Sequence, residues 1–116
     1  MLVSDVIGTA TTSGALRILD KEATGRWTAA TTLPFYNLGV QEVFSRRPEL
    51  RLTVLGELTT FADATATTDT SLAPDQMKQA LIWFVCAMAL SDDARDEMDR
   101  ARSAQMMANF EKALAL

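Results

Sequence analysis

Residues 79–90 read Gln-Ala-Leu-Ile-Trp-Phe-Val-Cys-Ala-Met-Ala-Leu, and this stretch decides the fold. Every side chain from Ala80 to Leu90 is apolar, so a helix built from this run is apolar on all sides and has to be covered on all sides. A helix that spans a membrane needs about 20 apolar residues, and this run stops earlier, at Ser91. The pattern therefore predicts a central helix that is covered by protein, either by the rest of the chain or by a neighbouring copy.

Length and charge limit the classes of protein to which the chain can belong. Its 116 residues are enough for one domain, residues 1–116, but a chain of this size has little material with which to hide an all-round apolar helix, which favours an oligomer. The net charge is −4, from 15 acidic and 11 basic residues. Tight non-specific binding to nucleic acid relies on Lys and Arg that neutralise phosphates, so we do not expect it. An acidic wall past which DNA slides is compatible with the same charge.

Several kinds of catalytic and metal site are excluded by composition. The chain contains no histidine, which rules out Ser-His-Asp and Cys-His catalysis and histidine-ligated zinc, and it has no glycine-rich phosphate loop. Its one cysteine, Cys86, lies inside the apolar run and is predicted to be a buried hydrophobe rather than a reactive thiol. Arginines lie among the clustered carboxylates of residues 92–102, which is typical of a solvated helix face. The carboxylates are Asp92, Asp93, Asp96, Glu97 and Asp99, and the arginines are Arg95, Arg100 and Arg102. We expect no enzyme, no cofactor and no metal.

The first half of the chain predicts two helices. The first covers residues 3–19 with Ser4 or Asp5 as its N-cap, although a break near Gly14 is an open alternative because glycine and threonine are poor helix formers there. The second covers residues 29–46 with Thr28 as its N-cap. Residues 46–48 read Arg-Arg-Pro, and we interpret them as two cations that stabilise the last turn, followed by a helix breaker.

Residues 50–74 are predicted to form an extended arm and a loop between helices two and three. Apolar and polar residues alternate from Leu50 to Val54 and resume after Gly56, which favours a short β-hairpin or two extended arms. Residues 62–71 contain only Ala, Asp and Thr before Ser71, and this composition predicts a surface loop or a segment that a partner orders. The candidate partner-ordered residues are Asp63, Thr65, Thr67, Thr68, Asp69 and Thr70.

The second half predicts two more helices, at residues 75–90 and 93–114, so the fold class is mainly α and the architecture a small four-helix bundle. One unbroken helix is the alternative, because neither Gly nor Pro lies between Asp75 and Leu116. Helix four carries two apolar faces on opposite sides. The first, Ala94, Met98 and Ala101, is expected to pack on helix three, and the second, Met107, Phe110 and Leu114, to meet another subunit. A bent helix that buries both faces in one core remains open.

Residues 26–42 read RWTAATTLPFYNLGVQE, an Arg-Trp-Thr sequence followed by a predicted helix with Asn-x-Gly and an acidic residue, and residues 47–49 read Arg-Pro-Glu. This stretch resembles the head–tail adaptor proteins of tailed bacteriophages, in which an Arg-Trp-Thr sequence precedes a similar helix with an Arg-Pro-Asp-like end. Residues 72–75, Leu-Ala-Pro-Asp, and the helices after them, ending in Phe110-Glu111-Lys112-Ala113-Leu114, resemble the family's closing helical hairpin.

The resemblance implies a structural virion protein with no catalysis, assembled in the host cytoplasm and located at the head–tail interface. Such a protein forms a dodecameric ring beneath the portal, closes the DNA-filled capsid and docks the tail. Its partners are further copies of itself, the portal protein and a tail-side connector or tail protein. DNA passes through the lumen without specific binding, and no membrane is involved. The alternative, a DNA-packaging subunit similar to a small terminase, needs a basic helix or arm that the sequence lacks.

A ring subunit needs two different apolar patches, because each copy presents one patch to its neighbour on either side. We expect aromatic anchors near the start of helix two and inter-subunit contacts on helix four, with a place in the core as the alternative for each. These candidate subunit or portal contacts are Trp27, Phe35, Tyr36, Met106, Met107, Phe110 and Leu114. On this interpretation, substitution of Trp83 unfolds the subunit, whereas substitution of Phe110 leaves it folded but unassembled.

Overall fold

The computed structural model describes residues 2–9, 14–19, 26–47, 64–66, 77–92 and 97–115. This part of the chain contains five helices and no β-strand, which confirms the predicted mainly α class. The helices are α1 (Val3–Ile7), α2 (Ala15–Leu19), α3 (Ala29–Arg46), α4 (Lys78–Asp92) and α5 (Glu97–Ala115). The predicted β-hairpin at residues 50–61 and most of the loop at residues 62–71 lie outside the described residues.

The predicted first helix is two short helices, as the alternative break allowed. Gly8 ends α1 with φ 65°, and Gly14 precedes α2 with φ 81°, values that favour glycine. A Cβ on Gly14 would lie 2.8 Å from backbone atoms of Gly8 and Val6, so the turn requires glycine. The predicted N-cap was wrong: α1 starts at Val3, and the Leu2 N–H donates to the Asp5 carboxylate at 2.8 Å.

Helix α3 has the predicted bounds and the predicted N-cap. The Thr28 hydroxyl accepts a hydrogen bond from the Thr31 N–H at 3.2 Å, and the Thr31 hydroxyl accepts one from the Thr28 N–H at 2.9 Å. These reciprocal bonds satisfy two backbone donors that the first turn would otherwise leave unpaired. The helix continues through Pro34 to Arg46, where the Arg47 N–H closes it on the Val43 carbonyl.

Helix α4 is the centre of the fold, as its all-apolar sequence predicts. Between Ala80 and Leu90 every side chain is buried except those of Trp83 and Met88, which are half-buried. All four other helices contact α4, and its cover therefore comes from the chain itself. Trp83, whose substitution was expected to unfold the subunit, is less buried than Phe110.

Helices α4 and α5 pack side by side, so the unbroken-helix alternative is wrong. The Ser103 hydroxyl donates to the Ala87 carbonyl at 2.8 Å, and the Phe110 ring meets the Phe84 ring edge-on with centroids 5.0 Å apart. The earlier α5 residue, Ser103, contacts the later α4 residue, Ala87, and the later α5 residue, Phe110, contacts the earlier α4 residue, Phe84. The two helices are therefore antiparallel. Helix α4 ends at Asp92 and α5 begins at Glu97, while residues 93–96 lie outside the described residues.

The apolar faces of α5 are arranged in the reverse of the predicted way. Met98 and Ala101 are exposed, whereas Phe110 and Leu114 are buried. Two polar contacts explain this orientation of α5. Asp99 forms an ion pair with Arg26, and the Arg102 guanidinium donates to the Ile18 carbonyl at 3.3 Å. These contacts fix the rotation of α5, and Phe110, eleven residues or about three turns after Asp99, faces the same way.

Candidate interaction surface

Several of the predicted contact residues belong to the core of the single chain. Phe110 packs on Phe84, and the Arg26 guanidinium lies 4.1 Å above the Trp27 ring. The Trp27 indole nitrogen is buried without a hydrogen-bond partner among the described residues. Side chains that are buried within one chain offer no surface to a partner, and we therefore remove them from the candidate surface. They are Trp27, Tyr36, Phe110 and Leu114.

The other predicted contact residues remain at the surface. Phe35, Met106 and Met107 are half-buried and pack against the edge of the core. Of the loop residues, Thr65 is described and exposed. The remaining loop residues, Asp63, Thr67, Thr68, Asp69 and Thr70, lie outside the described part of the chain.

Helices α3 and α5 run in the same direction on α4 and are tied together at both ends by side chains. At their starts, Arg26 and Asp99 form an ion pair of 2.8 Å whose side chains are only 16% and 10% exposed. At their ends, Arg46 pairs with Glu111, and the Arg47 guanidinium donates to the Leu114 carbonyl at 2.7 Å. The expectation that Asp99 belongs to a solvated carboxylate face is therefore wrong.

A groove lies between α3 and α5, with α4 as its floor. The floor consists of Phe84 and Met88, Leu38 lines the α3 side, and Met107 lines the α5 side. Its volume is about 330 Å³. Beyond Met88 and Met107 the surface continues into a second hollow of about 400 Å³ with Ala87, Ala104 and Arg100. We call the surface formed by Leu38, Phe84, Met88, Met107, Ala87 and Ala104 the methionine groove.

Leu38 and Met88 were missed at the level of sequence. Leu38 is 44% exposed and lies about 200° around α3 from Tyr36 at 100° per residue, away from the buried face. The available signal in the sequence was a large apolar residue outside the inward-facing positions of an otherwise regular helix. Met88 gave no comparable signal, because it lies within a run in which every residue is apolar.

Charged residues border the groove. Arg46 lies 3.4 Å from Glu42, pairs with Glu111, and stands 5.4 Å above the Phe110 ring. The hydrogen bond between the two groups raises the pKa of Arg46 and lowers the pKa of Glu111. Because these side chains are well exposed, the pair adds little stability. The Arg46 guanidinium of this pair covers the Phe110 ring at this end of the groove.

The Asn-x-Gly sequence of α3 has a structural explanation for each of its two named residues. The Asn37 side chain donates to the Ala64 carbonyl at 3.1 Å and accepts from the Ala64 N–H at 2.9 Å, which attaches the loop to α3. Gly39 faces α4, where an added Cβ would lie 3.0 Å from Phe84 Cδ1 and 3.2 Å from Leu81 Cδ2. Asn37 thus holds Ala64 against α3, and Gly39 allows the close approach of two helices.

The described residues give little support for a reactive thiol, a metal site or a membrane-spanning helix. Cys86 is buried, as predicted, and burial raises the pKa of its thiol to about 12. The described part of the chain holds no group of three or more side chains suited to a metal. None of its helices combines the length and the apolar character that a bilayer crossing demands. The methionine groove is therefore a candidate interaction surface.

Comparison of the chain with protein-family models, with curated proteins and with solved structures gave no match in any of the three.

Proposed function

We propose that this chain is a head–tail adaptor of a tailed bacteriophage, a structural protein that forms a ring beneath the portal, closes the filled capsid and docks the tail. The proposal starts from the resemblance of residues 26–49 and 72–114 to that family. In this role the chain performs no catalysis. Its partners are copies of itself, the portal protein and a tail-side protein.

The observation that carries the proposal is the set of contacts that joins the two resembling parts of the sequence. Arg26 binds Asp99, Arg46 binds Glu111, and Arg47 binds the Leu114 carbonyl. The first residue of each pair lies in the Arg-Trp-Thr helix region, and the second lies in the closing hairpin. The stretches that carry the resemblance therefore form one folded unit, which supports the proposal.

The exposed methionine groove is a second support, because a connector has to bind neighbours through surfaces that its own chain leaves open. Met88 and Met107 are suited to such a surface, since unbranched thioether side chains adapt to the shape of a partner. The net charge of −4 also suits a lumen through which DNA passes without adhering.

Native mass spectrometry of the purified chain, alone and mixed with the portal protein of the same phage, tests the proposal. We expect a closed oligomer that joins the portal ring in a fixed stoichiometry. A chain that stays monomeric and never binds the portal contradicts the adaptor function. DNA binding that weakens steeply with salt would instead favour a DNA-packaging subunit.

The loop at residues 62–71 has its own test, because in this proposal a portal or tail partner orders it. Hydrogen exchange of residues 62–71 is compared before and after assembly. We expect stronger protection in the assembled state. Equal protection in the two states rules out ordering by a partner.

A further inference from the structure

The sulfur-containing side chains of the described residues differ widely in their access to solvent. Cys86 is buried, whereas Met98 is 71% exposed and Met88 and Met107 are half-buried in the methionine groove. Peroxides attack the thiolate form of cysteine, and burial raises the pKa of the Cys86 thiol to about 12. A thioether has no proton to lose and reacts wherever the reagent reaches its sulfur. Oxidation of the folded chain is therefore expected at methionine and not at cysteine.

Met88 and Met107 lie on facing helices and line the same two hollows, of about 330 and 400 Å³. A water molecule takes up about 30 Å³ in the liquid, so these hollows have room for a molecule as small as hydrogen peroxide. Both side chains also pack against the core, above Phe84. The reagent thus reaches two thioethers that contribute to the packing of α5 on α4.

A sulfoxide oxygen in the groove finds few free hydrogen-bond donors. The Arg46 guanidinium is held by two glutamates, and the Ser103 hydroxyl donates to a backbone carbonyl. The other donors that line the two hollows, Ser91 and Arg100, are exposed. An unpaired polar group in an apolar site is costly, and an oxidised methionine therefore turns outwards to these groups and to water. That movement removes its contacts with the core.

We propose that the methionine groove is a modification site for peroxides, in which Met88 and Met107 become sulfoxides and α5 loosens from α4. In each step the sulfur lone pair attacks one peroxide oxygen, an S–O bond forms and the O–O bond breaks. The departing oxygen takes the proton of the transferred oxygen and leaves as water, so the sulfur loses two electrons and the peroxide gains them. This chemistry belongs to the single chain and does not depend on the adaptor function.

Peroxide treatment of the purified full chain tests the proposal. Sulfoxides are located by mass spectrometry of peptides, and thermal unfolding is followed by circular dichroism. We expect Met98 to react first without effect, because its sulfoxide lies in water. Oxidation of Met88 and Met107 should follow and lower the Tm by at least about 3 °C, while Cys86 stays unmodified. Methionine sulfoxide reductases should restore the original Tm.

Matched variants assign the effect to the groove. Met88→Leu combined with Met107→Leu keeps the apolar volume, and such exchanges are well tolerated in cores. After peroxide treatment this double variant should keep its Tm, whereas the control, Met98→Leu, should lose as much as the unchanged chain. Each variant is compared with its own untreated form. In the unchanged chain, the fall in Tm should follow the extent of oxidation at Met88 and Met107.

Three results overturn the proposal. An unchanged Tm with Met88 and Met107 fully oxidised means that these thioethers do not hold α5 on α4. An equal loss of Tm in the double variant assigns the effect to another side chain, such as half-buried Met106. Oxidation of Cys86 before the methionines of the groove means that the thiol, and not the thioether pair, is the site that peroxide reaches.

Discussion

At the level of single residues, Gly39 shows how a small side chain determines the distance between helices. It lies on α3 where Phe84 and Leu81 of α4 come closest. Both of those side chains are buried and held by their neighbours in the core. A larger residue at this position has to displace the Phe84 and Leu81 side chains, and such overpacking is costly in a well-packed interior.

Gly39→Val is therefore expected to lower the free energy of unfolding by about 2 kcal/mol, within the range typical of overpacked cores. Urea unfolding measures the loss. The matched control is Gln41→Val, which introduces the same β-branched residue at an exposed position of the same helix and should cost less than about 1 kcal/mol. Equal losses for the two variants would mean that α3 and α4 are not in close contact at Gly39.

Cys86 is a second residue whose surroundings determine its chemistry. Burial raises the pKa of its thiol from 9.0 to about 12. Above pH 9 the unfolded chain loses this proton while the folded chain keeps it, so stability falls as the pH rises from about 9 to about 12. The loss contributed by this group is at most about 1.4 kcal/mol per pH unit.

The prediction is that the unchanged protein loses about 1 kcal/mol more stability between pH 8 and pH 10 than Cys86→Ala does. Urea unfolding of both proteins at the two pH values measures this difference. The substitution also lowers stability at both pH values, because it removes a buried side chain, but that loss cancels in the comparison. A difference near zero would place the thiol in contact with water.

At the level of elements, the ion pair between Arg26 and Asp99 joins the region before α3 to the first turn of α5. Its side chains are 16% and 10% exposed, and the Arg26 guanidinium also stacks on the Trp27 ring. Removal of one partner leaves the other charge with little access to water, which costs more than the loss of a surface pair.

Asp99→Asn should lower the free energy of unfolding by about 1–3 kcal/mol. Glu97→Gln is the matched control, because it removes an exposed acid from the same first turn of α5 and so loses the same interaction with the helix dipole. The control should change stability by no more than about 0.5 kcal/mol. If thermal unfolding shows the same change for both variants, the ion pair does not stabilise the docking of α5.

At the level of the whole molecule, one core serves all five described helices, and the methionine groove and Met98 are among the apolar surfaces that the described residues leave open. Phe110 belongs to the core. It is fully buried between α3 and α4, against the Phe84 ring and beneath the Arg46 guanidinium. Phe110 therefore serves the fold of the single chain.

Phe110→Ala is expected to cost about 3–5 kcal/mol, the range for removal of a buried phenylalanine, and to unfold a marginally stable chain at physiological temperature. This reverses the expectation from sequence, in which Phe110 served assembly alone. Circular dichroism and light scattering separate the two effects. A Phe110→Ala variant that is folded, as stable as the unchanged chain, and only unassembled would restore the sequence-based interpretation.

Local chemistry along the chain accounts for several of the helices that the sequence predicts. The all-apolar run of α4 made it the central helix, Thr28 and the residues after Arg46 set the bounds of α3, and Gly14 marked the break in the first helix. Hydrophobic periodicity, capping and glycine conformations act within a few residues, and they can be read along the chain.

Contacts between distant parts of the chain select which faces of the helices are covered. The rotation of α5 depends on Asp99 reaching Arg26, a residue 73 positions away in the sequence. The groove exists because α3 and α5 are tied at their ends and leave α4 open between them. Periodicity identifies the apolar side of a helix but not the neighbour that covers it, because that choice is made by polar and packing contacts between distant parts of the chain.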